Sequence, residues 1–396
     1  MVNPILKQAH ALQQQITDHR RWLHSHPGVG FELQETKEYV RQVLEKMGLT
    51  AVDCGRCGLY CDVCGSKGKT ILLRADMDAL PIKEDADIDF ASTNGYMHAC
   101  GHDMHTAMLL GAAQILTDHQ KDLQGTVRLM FQPAEEILAG ASDMIENGVL
   151  SGVDAAVMIH VAVPTEFSAG TLIVSAPGVT APSAEYFTIH VQGKGCHGSM
   201  PQNGVDALTI GAQLLIALQE LKARELAADS GAVLTIGSFQ GGTAGNVIAD
   251  KAILKGTLRT YDEQDHLFIK QRLVEIAQGM ATIFRGSASV EFGPSCPTLT
   301  NDATLCNAFY QYLKDLLGNE GVINAAGTGN IRSGGSEDFA YISHQIPSVM
   351  LALAAGEPGR GYDKPLHHPQ VRFDEQALPY GTAALAQIAI AYLAVQ

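Results

Sequence analysis

Two segments of the chain combine side chains that bind metals with a pair of carboxylates. The first segment is His98-Ala-Cys100-Gly-His102-Asp103-Met-His105, and the second is Gln132-Pro-Ala-Glu135-Glu136. Metal-dependent hydrolysis requires ligands that fix the ion, an open coordination position for water, and a separate base that takes a proton from that water. Because the two segments supply residues for each of these parts, the sequence predicts a metal-dependent hydrolase.

In the first segment, Cys100 and His102 are two positions apart in a predicted turn, so both side chains can face one ion. Asp103 begins the next helix, either as a cap or as an acceptor that orients an imidazole. The alternative is that the histidines lie in a polar loop and bind no metal. The density of ligand side chains favours the metal site.

The second segment, with Glu135 and Glu136, follows an apolar run that ends at Gln132. Acidic residues are favoured in the first turn of a helix by the helix dipole, so a solvated helix start is the alternative. The apolar run predicts instead that the pair lies at the end of a buried strand. Since adjacent side chains point in different directions, one carboxylate can bind the ion while its neighbour acts as base toward the water.

Apolar runs that end in polar residues predict strands that are buried on both faces of a mostly parallel sheet. The runs are 70–78, 125–132 and 155–160, and helices are predicted at 103–117 and 136–147. In open sheets of this type the ligand crevice lies beyond the carboxyl ends of the strands. The residues at or just past these ends are Asp76, Asp78, Glu135, Glu136 and His160.

The middle of the chain has the pattern of a separate small domain. Strands are predicted at 186–192, 232–239, 252–261 and 288–293, with helices at 204–225 and 263–285. This βαββαβ order is the ferredoxin-like motif. The apolar strand pattern of the first part resumes at 348–353, after a glycine-rich stretch at 323–336 that we expect to be mobile or to face substrate. A closing helix is predicted at 375–394.

We therefore expect an α/β fold in two domains. The predicted catalytic domain comprises residues 1–183 and 294–396, with a mostly parallel sheet and helices on both of its faces. The predicted inserted domain, residues 184–293, would act as a lid or in dimerisation.

Composition restricts the partners of the chain. Its 396 residues and hydrophobic content of 46% allow two sizeable cores. The formal net charge of −15 argues against nucleic acid or an anionic membrane surface as partner. The N-terminal residues lack a basic segment followed by an apolar one, and no other apolar run is long enough to suggest a membrane span. We expect a cytoplasmic protein that does not bind membranes.

Four of the eight cysteines form the pattern CxxC-x3-CxxC at positions 54, 57, 61 and 64. A structural zinc or iron–sulfur site is one interpretation, and ordinary cysteines of a β-hairpin are the other. The three-residue spacer is short for a zinc ribbon. Residues 59–64 alternate like a strand, which sends Cys61 and Cys64 to opposite faces, so hairpin cysteines are the favoured interpretation.

Taken together, the motifs resemble a known family. The chain is similar to the aminoacylase and carboxypeptidase family of dinuclear metallopeptidases, and within it to the amidohydrolase subfamily of hippurate hydrolases, N-acyl-amino-acid deacylases and auxin-conjugate hydrolases. The resemblance covers nearly the whole chain, in motifs that begin at Arg20, Arg74, His98, Phe131, Gly195, Gly241, Gly335 and Leu366. The chain departs from the family pattern at Pro27-Gly28, where the family commonly has Pro-Glu, and in the cysteine-rich hairpin.

The resemblance implies two divalent metal ions per subunit, with zinc, manganese, cobalt and nickel all open as their identity. The implied ligands are Cys100, His102, Glu136, His160 and His367, and Glu135 is the implied general base. His368 competes with His367 for the last position, and the family pattern Leu-His-x-Pro favours His367. Asp78 matches an acid that orients a ligand, and the role of Asp76 stays open.

In the inserted domain, the resemblance implies that His197 polarises the substrate carbonyl and that Asn246 and Arg259 bind substrate. The structural alternatives are that His197 and Asn246 are turn residues and that Arg259 is a surface charge on a strand. The expected reaction is hydrolysis of the amide bond of an N-acyl-amino acid, by a metal-activated water, to a carboxylic acid and a free amino acid. A dipeptidase or carboxypeptidase of the same family is the alternative enzyme, and a non-catalytic metal-binding module is the alternative class. Family analogy further implies a homodimer or higher homo-oligomer.

Overall fold

A computed structural model describes residues 3–327 and 334–395. These residues form two compact units. The first comprises 3–180, 300–327 and 337–395, and the second comprises 181–299 and 334–336. Six residues of the glycine-rich stretch 323–336, for which we expected a mobile or substrate-facing loop, lie outside the described residues.

The strands of the described chain are β1 (Val52–Cys54), β2 (Gly58–Cys64), β3 (Lys69–Asp76), β4 (Gly125–Gln132), β5 (Ala155–Ala162), β6 (Leu172–Val174), β7 (Gly178–Ala181), β8 (Ser183–Gln192), β9 (Cys196–His197), β10 (Val233–Gly241), β11 (Val247–Ile248), β12 (Lys251–Thr260), β13 (Ser287–Cys296), β14 (Leu299–Asn301), β15 (Val322–Asn324) and β16 (Ser348–Ala354). The α-helices are α1 (Pro4–Ala11), α2 (Gln13–Ser25), α3 (Gln34–Lys46), α4 (His102–Asp118), α5 (Gly140–Glu146), α6 (Ala207–Ala217), α7 (Glu263–Ile283), α8 (Ala303–Leu317), α9 (Ala340–Ser343) and α10 (Leu378–Ala394).

The first unit contains an eight-stranded sheet in the order β1-β2-β4-β3-β5-β16-β6-β15. Its central strands β4, β3, β5 and β16 run parallel to one another. Six consecutive residues of β3, Ile71 to Asp76, are buried, as expected for a strand that is covered on both faces. The α/β fold with a mostly parallel sheet is thus confirmed, and the carboxyl ends of β3, β4 and β5 meet at one edge.

The closing helix α10 packs against α4, α1 and α8 in the core of this unit. It is apolar around its circumference, which is typical of a helix that is buried on all sides. The segment Glu375–Ala394 is long and apolar enough to cross a membrane, contrary to our reading of the sequence, but 67% of its most apolar window is buried inside the fold. Burial in the core accounts for this composition.

The segment between β4 and α5 differs from the prediction. A helix was expected from residue 136, but α5 begins only at Gly140. Ala134 and Leu138 both have positive φ angles, of 56° and 55°, which interrupt helical geometry on each side of the two glutamates. The segment is therefore a turn, and strain of this kind in residues other than glycine is common at functional sites.

The four cysteines of the CxxC-x3-CxxC pattern lie in the β1–β2 hairpin and do not converge. The thiol of Cys54 contacts the carbonyl oxygen of Met144 at 3.4 Å, and the thiol of Cys57 contacts Oε1 of Gln34 at 3.4 Å. Cys61 is buried and Cys64 is exposed, on opposite faces of β2. Among the residues that the structure describes, no cluster of potential metal ligands includes any of the four, so the favoured interpretation as hairpin cysteines holds.

The second unit contains an antiparallel sheet in the order β10-β12-β8-β13. With α6 and α7 packed on the sheet, the chain order β8-α6-β10-β12-α7-β13 is the ferredoxin-like arrangement. This unit has its own hydrophobic core, which includes Ile189, Leu214, Leu254 and Leu273. Its function as a lid or in dimerisation stays a prediction.

Candidate functional site

The site of the first unit forms where β3 and β4 end side by side. Asp76 is the last residue of β3 and pairs with Gln132, the last residue of β4. The chain after β3 places Asp78 beside the turn that follows β4, where its carboxylate accepts hydrogen bonds from the backbone N–H groups of Glu135 (3.0 Å) and Glu136 (3.2 Å). Asp78 therefore fixes the backbone from which both glutamates project.

Of the groups of potential ligand atoms at this edge, two share Cys100. One group consists of Cys100, His102 and His160, and the other of Cys100, Glu136 and His367. The ligand atoms within each group lie within 4.8 Å of one another. The Cys100 thiol lies 3.5 Å from Nε2 of His160 and 3.3 Å from Nε2 of His367. The geometry thus brings together the five residues for which the sequence predicted metal binding.

Hydrogen bonds of the two Nδ1 atoms leave Nε2 of His102 and of His160 directed at the cluster. Nδ1 of His102 donates to the carbonyl oxygen of Asp78 at 2.8 Å, and Nδ1 of His160 donates to that of Val161 at 2.7 Å. Within the described part of the chain, Nε2 of His102 and Oε1 of Glu136 are buried without a hydrogen-bond partner. Because buried polar atoms are rarely left unpaired, these two atoms fit a site for a cation.

The charges around these atoms also favour a cation. Burial alone would lower the pKa of His102, but the charge of Asp76 and the hydrogen bond to Asp78 raise it well above its usual value. Burial lowers the pKa of His160 to about 3, so this imidazole is neutral and able to act as a ligand. Burial, together with the charge of Asp78, raises the pKa of Glu136 to about 7. The negative charges of Asp76 and Asp78 therefore favour positive charge beside His102 and Glu136.

Glu135 lies next to the cluster. Its carboxylate belongs to neither group that contains Cys100, although it forms further groups with His102 and Glu136 and with Glu337 and Asp338. It is only 6% exposed, and its Oε2 lies 3.9 Å from Nε2 of His102. Burial and then the charges of Glu337 and Asp338 raise the pKa of Glu135 well above its usual value. A carboxyl group with a raised pKa is suited to accept a proton from water and to donate it again.

Arg74 is a central residue of the site to which sequence reasoning assigned no function. Its buried guanidinium donates to Asp76 (2.6 Å), Gln132 (2.9 Å), Glu337 (3.0 Å) and Asp338 (2.9 Å). Asp338 also accepts hydrogen bonds from the side chain of Gln132 and from the backbone of Ala141. An arginine inside an apolar strand was the available signal, because a buried charge requires partners.

His105 and Asp76 support the cluster. Nδ1 of His105 lies 2.7 Å from Oδ1 of Asp76, and its Nε2 accepts the backbone N–H of Val161 at 2.9 Å. Both nitrogens of His105 are therefore occupied. Asp76 binds His105 and Arg74, and its Oδ2 lies 3.7 Å from Nε2 of His102. Asp76, whose role the sequence left open, therefore lies beside the candidate ligands.

The loop at His367 and His368 points the first of the two histidines at the cluster. Nε2 of His367 lies 3.5 Å from Oε1 of Glu136, and its backbone N–H donates to Ala99 at 2.9 Å. His367 has a positive φ of 66°. Nδ1 of His368 instead accepts the backbone N–H of Gln370 at 3.0 Å. The side chain of His367 is 52% exposed, so the cluster opens to solvent on this side.

Asp103 contributes to a neighbouring network. Its carboxylate accepts hydrogen bonds from Arg20 and His24, both at 2.8 Å. The N-cap of α4 is Gly101 and not Asp103, and the imidazole that Asp103 orients is that of His24. His98 is fully buried beside this network, and burial lowers its pKa to about 3.

In the second unit, the structure brings two of the three predicted substrate-binding residues together. His197 lies in β9, which pairs with β11, and the N–H of the next residue donates to the carbonyl oxygen of Asn246 at 2.8 Å. Both side chains are exposed. Arg259 lies in β12, where its guanidinium donates to the hydroxyl of Ser336 at 2.6 Å.

Comparisons with known proteins identify the family of the chain. The model of peptidase family M20/M25/M40 matches residues 72–391. The chain is 34% identical over 387 residues to an N-acetylcysteine deacetylase of Bacillus subtilis, covering 97% of this chain and 98% of that protein. It is 37% identical to the IAA-amino acid hydrolase ILR1-like 2 of Arabidopsis thaliana, over 94% of this chain and 84% of that protein.

A solved structure is similar over the whole length. It is the Bacillus subtilis YXEP protein, described as a dinuclear metal-binding peptidase of the M20 family. The TM-score is 0.80 at 32% identity, covering 97% of this chain and 99% of that one.

Proposed function

Because the chain belongs to peptidase family M20/M25/M40 and is a metal-dependent amidohydrolase of that family, we propose that it hydrolyses the amide bond of N-acyl-amino acids to a carboxylic acid and a free amino acid. The relatives support this substrate class, since their names describe removal of an acetyl group from N-acetylcysteine and hydrolysis of IAA-amino acids. The fold alone would not distinguish among amide substrates.

One observation carries the proposal. The buried carboxylate of Glu135 lies outside the two ligand groups that share Cys100, and its Oε2 is 3.9 Å from Nε2 of His102, a member of one of them. The five candidate ligands Cys100, His102, Glu136, His160 and His367 would hold two divalent ions. When bound, the ions would polarise the amide carbonyl and lower the pKa of the attacking water. Sulfur, imidazole and carboxylate donors together accept zinc, manganese, cobalt or nickel.

The residues of the chain supply the proton transfers. Glu135 takes a proton from the water while the water oxygen forms a bond to the amide carbon. Glu135 later donates that proton to the amide nitrogen as the C–N bond breaks. Asp78 holds the backbone of Glu135 in place for both transfers. We further propose that His197 donates to the carbonyl oxygen as negative charge develops there, and that Asn246 and Arg259 bind the amino-acid part of the substrate.

The test is an assay of amino-acid release from acetyl, benzoyl and indoleacetyl amino acids and from dipeptides. Enzyme loaded separately with zinc, manganese, cobalt or nickel is assayed, with and without a chelator. We expect hydrolysis of the acyl-amino acids that the chelator abolishes and added metal restores. Release from dipeptides alone would indicate a dipeptidase instead, and no release from any substrate would contradict the proposal.

The base is tested with Glu135→Gln. We expect this variant to keep its bound metal, measured by inductively coupled plasma mass spectrometry, while kcat falls at least about 100-fold, the usual contribution of a general base. Glu146→Gln, at an exposed glutamate of α5, is the control and should keep both the bound metal and the wild-type kcat. Full activity of Glu135→Gln would contradict the assignment of the base.

A further inference from the structure

The turn that carries the two glutamates also presents an apolar side chain to solvent. Ile137 follows Glu136 directly and is 45% exposed, whereas Glu135 is only 6% exposed. The positive φ angles of Ala134 and Leu138 bracket these three residues. Because this backbone geometry is strained, it holds Ile137 outward at a defined place beside the carboxylates.

A second segment, residues 28–31, lies against Ile137. A β-carbon at Gly30 would lie 3.4 Å from Cδ1 of Ile137, which is ordinary van der Waals contact. The 28–31 loop is held there from behind. The N–H of Ala79 donates to the carbonyl oxygen of Gly28 at 2.8 Å, and Val29 forms a bridge with Ala79, the residue after Asp78.

The glycine at position 28 is required by this closure. A β-carbon there would lie 2.6 Å from the carbonyl oxygen of Glu32 and 2.7 Å from Cα of Leu33, and backbone atoms cannot move aside cheaply. The departure from the family pattern at Pro27-Gly28 therefore lets the loop fold tightly back on itself. The loop presents Val29 and Phe31, both half-buried.

The charged group that covers the Phe31 ring is already paired. The guanidinium of Arg56 lies 3.4 Å from the centre of the Phe31 ring and is held by Asp143, whose carboxylate also accepts the backbone N–H of Arg56 at 2.7 Å. The apolar side chains of these two segments are exposed Ile137 and, on either side of Gly30, half-buried Val29 and Phe31, and we call this set the 29/31/137 surface.

We propose that the 29/31/137 surface receives the acyl group of the substrate and makes the enzyme prefer extended apolar acyl groups to acetyl. This inference rests on the proposed function. An amide carbonyl positioned at Glu135 has its acyl substituent within reach of the neighbouring Ile137, and apolar contact there removes the substituent from water. Each methylene buried in this way would raise kcat/KM about fourfold.

The experiment measures kcat/KM for acetyl, butanoyl, hexanoyl and benzoyl derivatives of one amino acid. For the wild-type enzyme, kcat/KM should rise steadily with acyl length. In Ile137→Ser the hexanoyl and benzoyl substrates should lose about 10-fold or more, while the acetyl substrate stays within about twofold of wild type. Ile137→Leu should retain the preference for long acyl groups. Ile216→Ser, at another exposed isoleucine in α6, is the control.

A second variant, Phe31→Ala, leaves the turn of Glu135 and Glu136 unchanged in sequence, so it tests the same surface without a change in that turn. It should also reduce the increase of kcat/KM with acyl length. Bound metal and melting temperature are measured for every variant. Equal losses for acetyl and hexanoyl substrates, or no loss in either variant, would overturn the inference. If wild-type enzyme hydrolyses none of the acyl-amino acids, the proposed function fails; if it hydrolyses them but the variants leave selectivity unchanged, only this inference fails.

Discussion

His102 is held by the backbone of Asp78 more closely than by its carboxylate. Nδ1 of His102 lies 2.8 Å from the carbonyl oxygen of Asp78 and 3.5 Å from its Oδ1. The carboxylate is used instead by the backbone N–H groups of Glu135 and Glu136. One residue therefore orients a ligand through its main chain and the two glutamates through its side chain.

This arrangement predicts that Asp78→Asn separates metal binding from turnover. The main-chain acceptor for His102 is retained, so bound metal should stay near the wild-type level. An amide offers only one acceptor oxygen. We expect this oxygen to keep the N–H of Glu136 and hence the ligand position, while the N–H of Glu135 loses its acceptor, so the base shifts and kcat should fall about 10- to 100-fold. Metal analysis and steady-state kinetics on the same samples test this, and loss of metal in parallel with activity would contradict it.

The two buried histidines of α4 should behave differently. His102→Ala removes an unpaired Nε2 from the ligand cluster and should lower bound metal sharply. His105→Asn should leave the metal content near wild type, because both nitrogens of His105 are occupied by Asp76 and Val161. Equilibrium dialysis against zinc measures both. Equal loss of metal in the two variants would show that His105 is itself a ligand.

Removal of Arg74 should destabilise the first unit. Arg74→Gln leaves Asp76, Glu337 and Asp338 buried without their cation, and breaking a buried ion pair typically costs about 3–5 kcal/mol. Arg21→Gln is the matched control, because Arg21 is 48% exposed in its pair with Glu375 and such surface pairs contribute at most about 1 kcal/mol. Urea unfolding measures the loss in free energy of unfolding for each variant. Similar losses in the two variants would contradict the conclusion that Arg74 stabilises the first unit through its buried ion pairs.

Acid should weaken a buried ion pair in the second unit. Burial acts to raise the pKa of Glu185, but hydrogen bonds from His266 (3.2 Å) and Lys270 (2.6 Å) outweigh it, so the pKa lies below its usual value of 4.5. A lowered pKa means that the stabilisation is present above about pH 4.5 and is lost as the pH falls through the pKa of the folded state.

Comparison with Glu185→Gln tests this dependence. The difference in melting temperature between wild type and variant should be constant from pH 6.5 to about pH 5 and should shrink toward pH 3. A difference that grows on acidification would mean that the pKa of Glu185 is raised in the folded protein.

The hairpin cysteines should differ in reactivity. Burial raises the pKa of Cys54 and Cys57, and that of Cys61 to about 12, so these thiols remain protonated at pH 8. Iodoacetamide should therefore modify only exposed Cys64 of the four in native protein, as peptide mass mapping would show. Protection of all four that a chelator relieves would instead indicate a metal cluster.

Much of the fold could be predicted from the sequence because its periodic patterns are local. Apolar runs identified β3, β4 and β5 and, with the helical patterns between them, indicated that their carboxyl ends meet. The turn around Glu135 could not be predicted, because the positive φ angles of Ala134 and Leu138 are imposed by their surroundings. The network of Arg74 was missed for a similar reason: its partner Glu337 is 263 positions away along the chain.

The sequence by itself determined which residue types are available for chemistry and that they lie at strand ends, since composition and periodicity depend only on neighbouring residues. Only the tertiary structure decided how they are used. It placed Cys100 in both ligand groups, left Nε2 of His102 free while occupying both nitrogens of His105, and set Ile137 outward beside Glu136. These outcomes depend on hydrogen bonds and contacts between segments far apart in the chain, which no local pattern encodes.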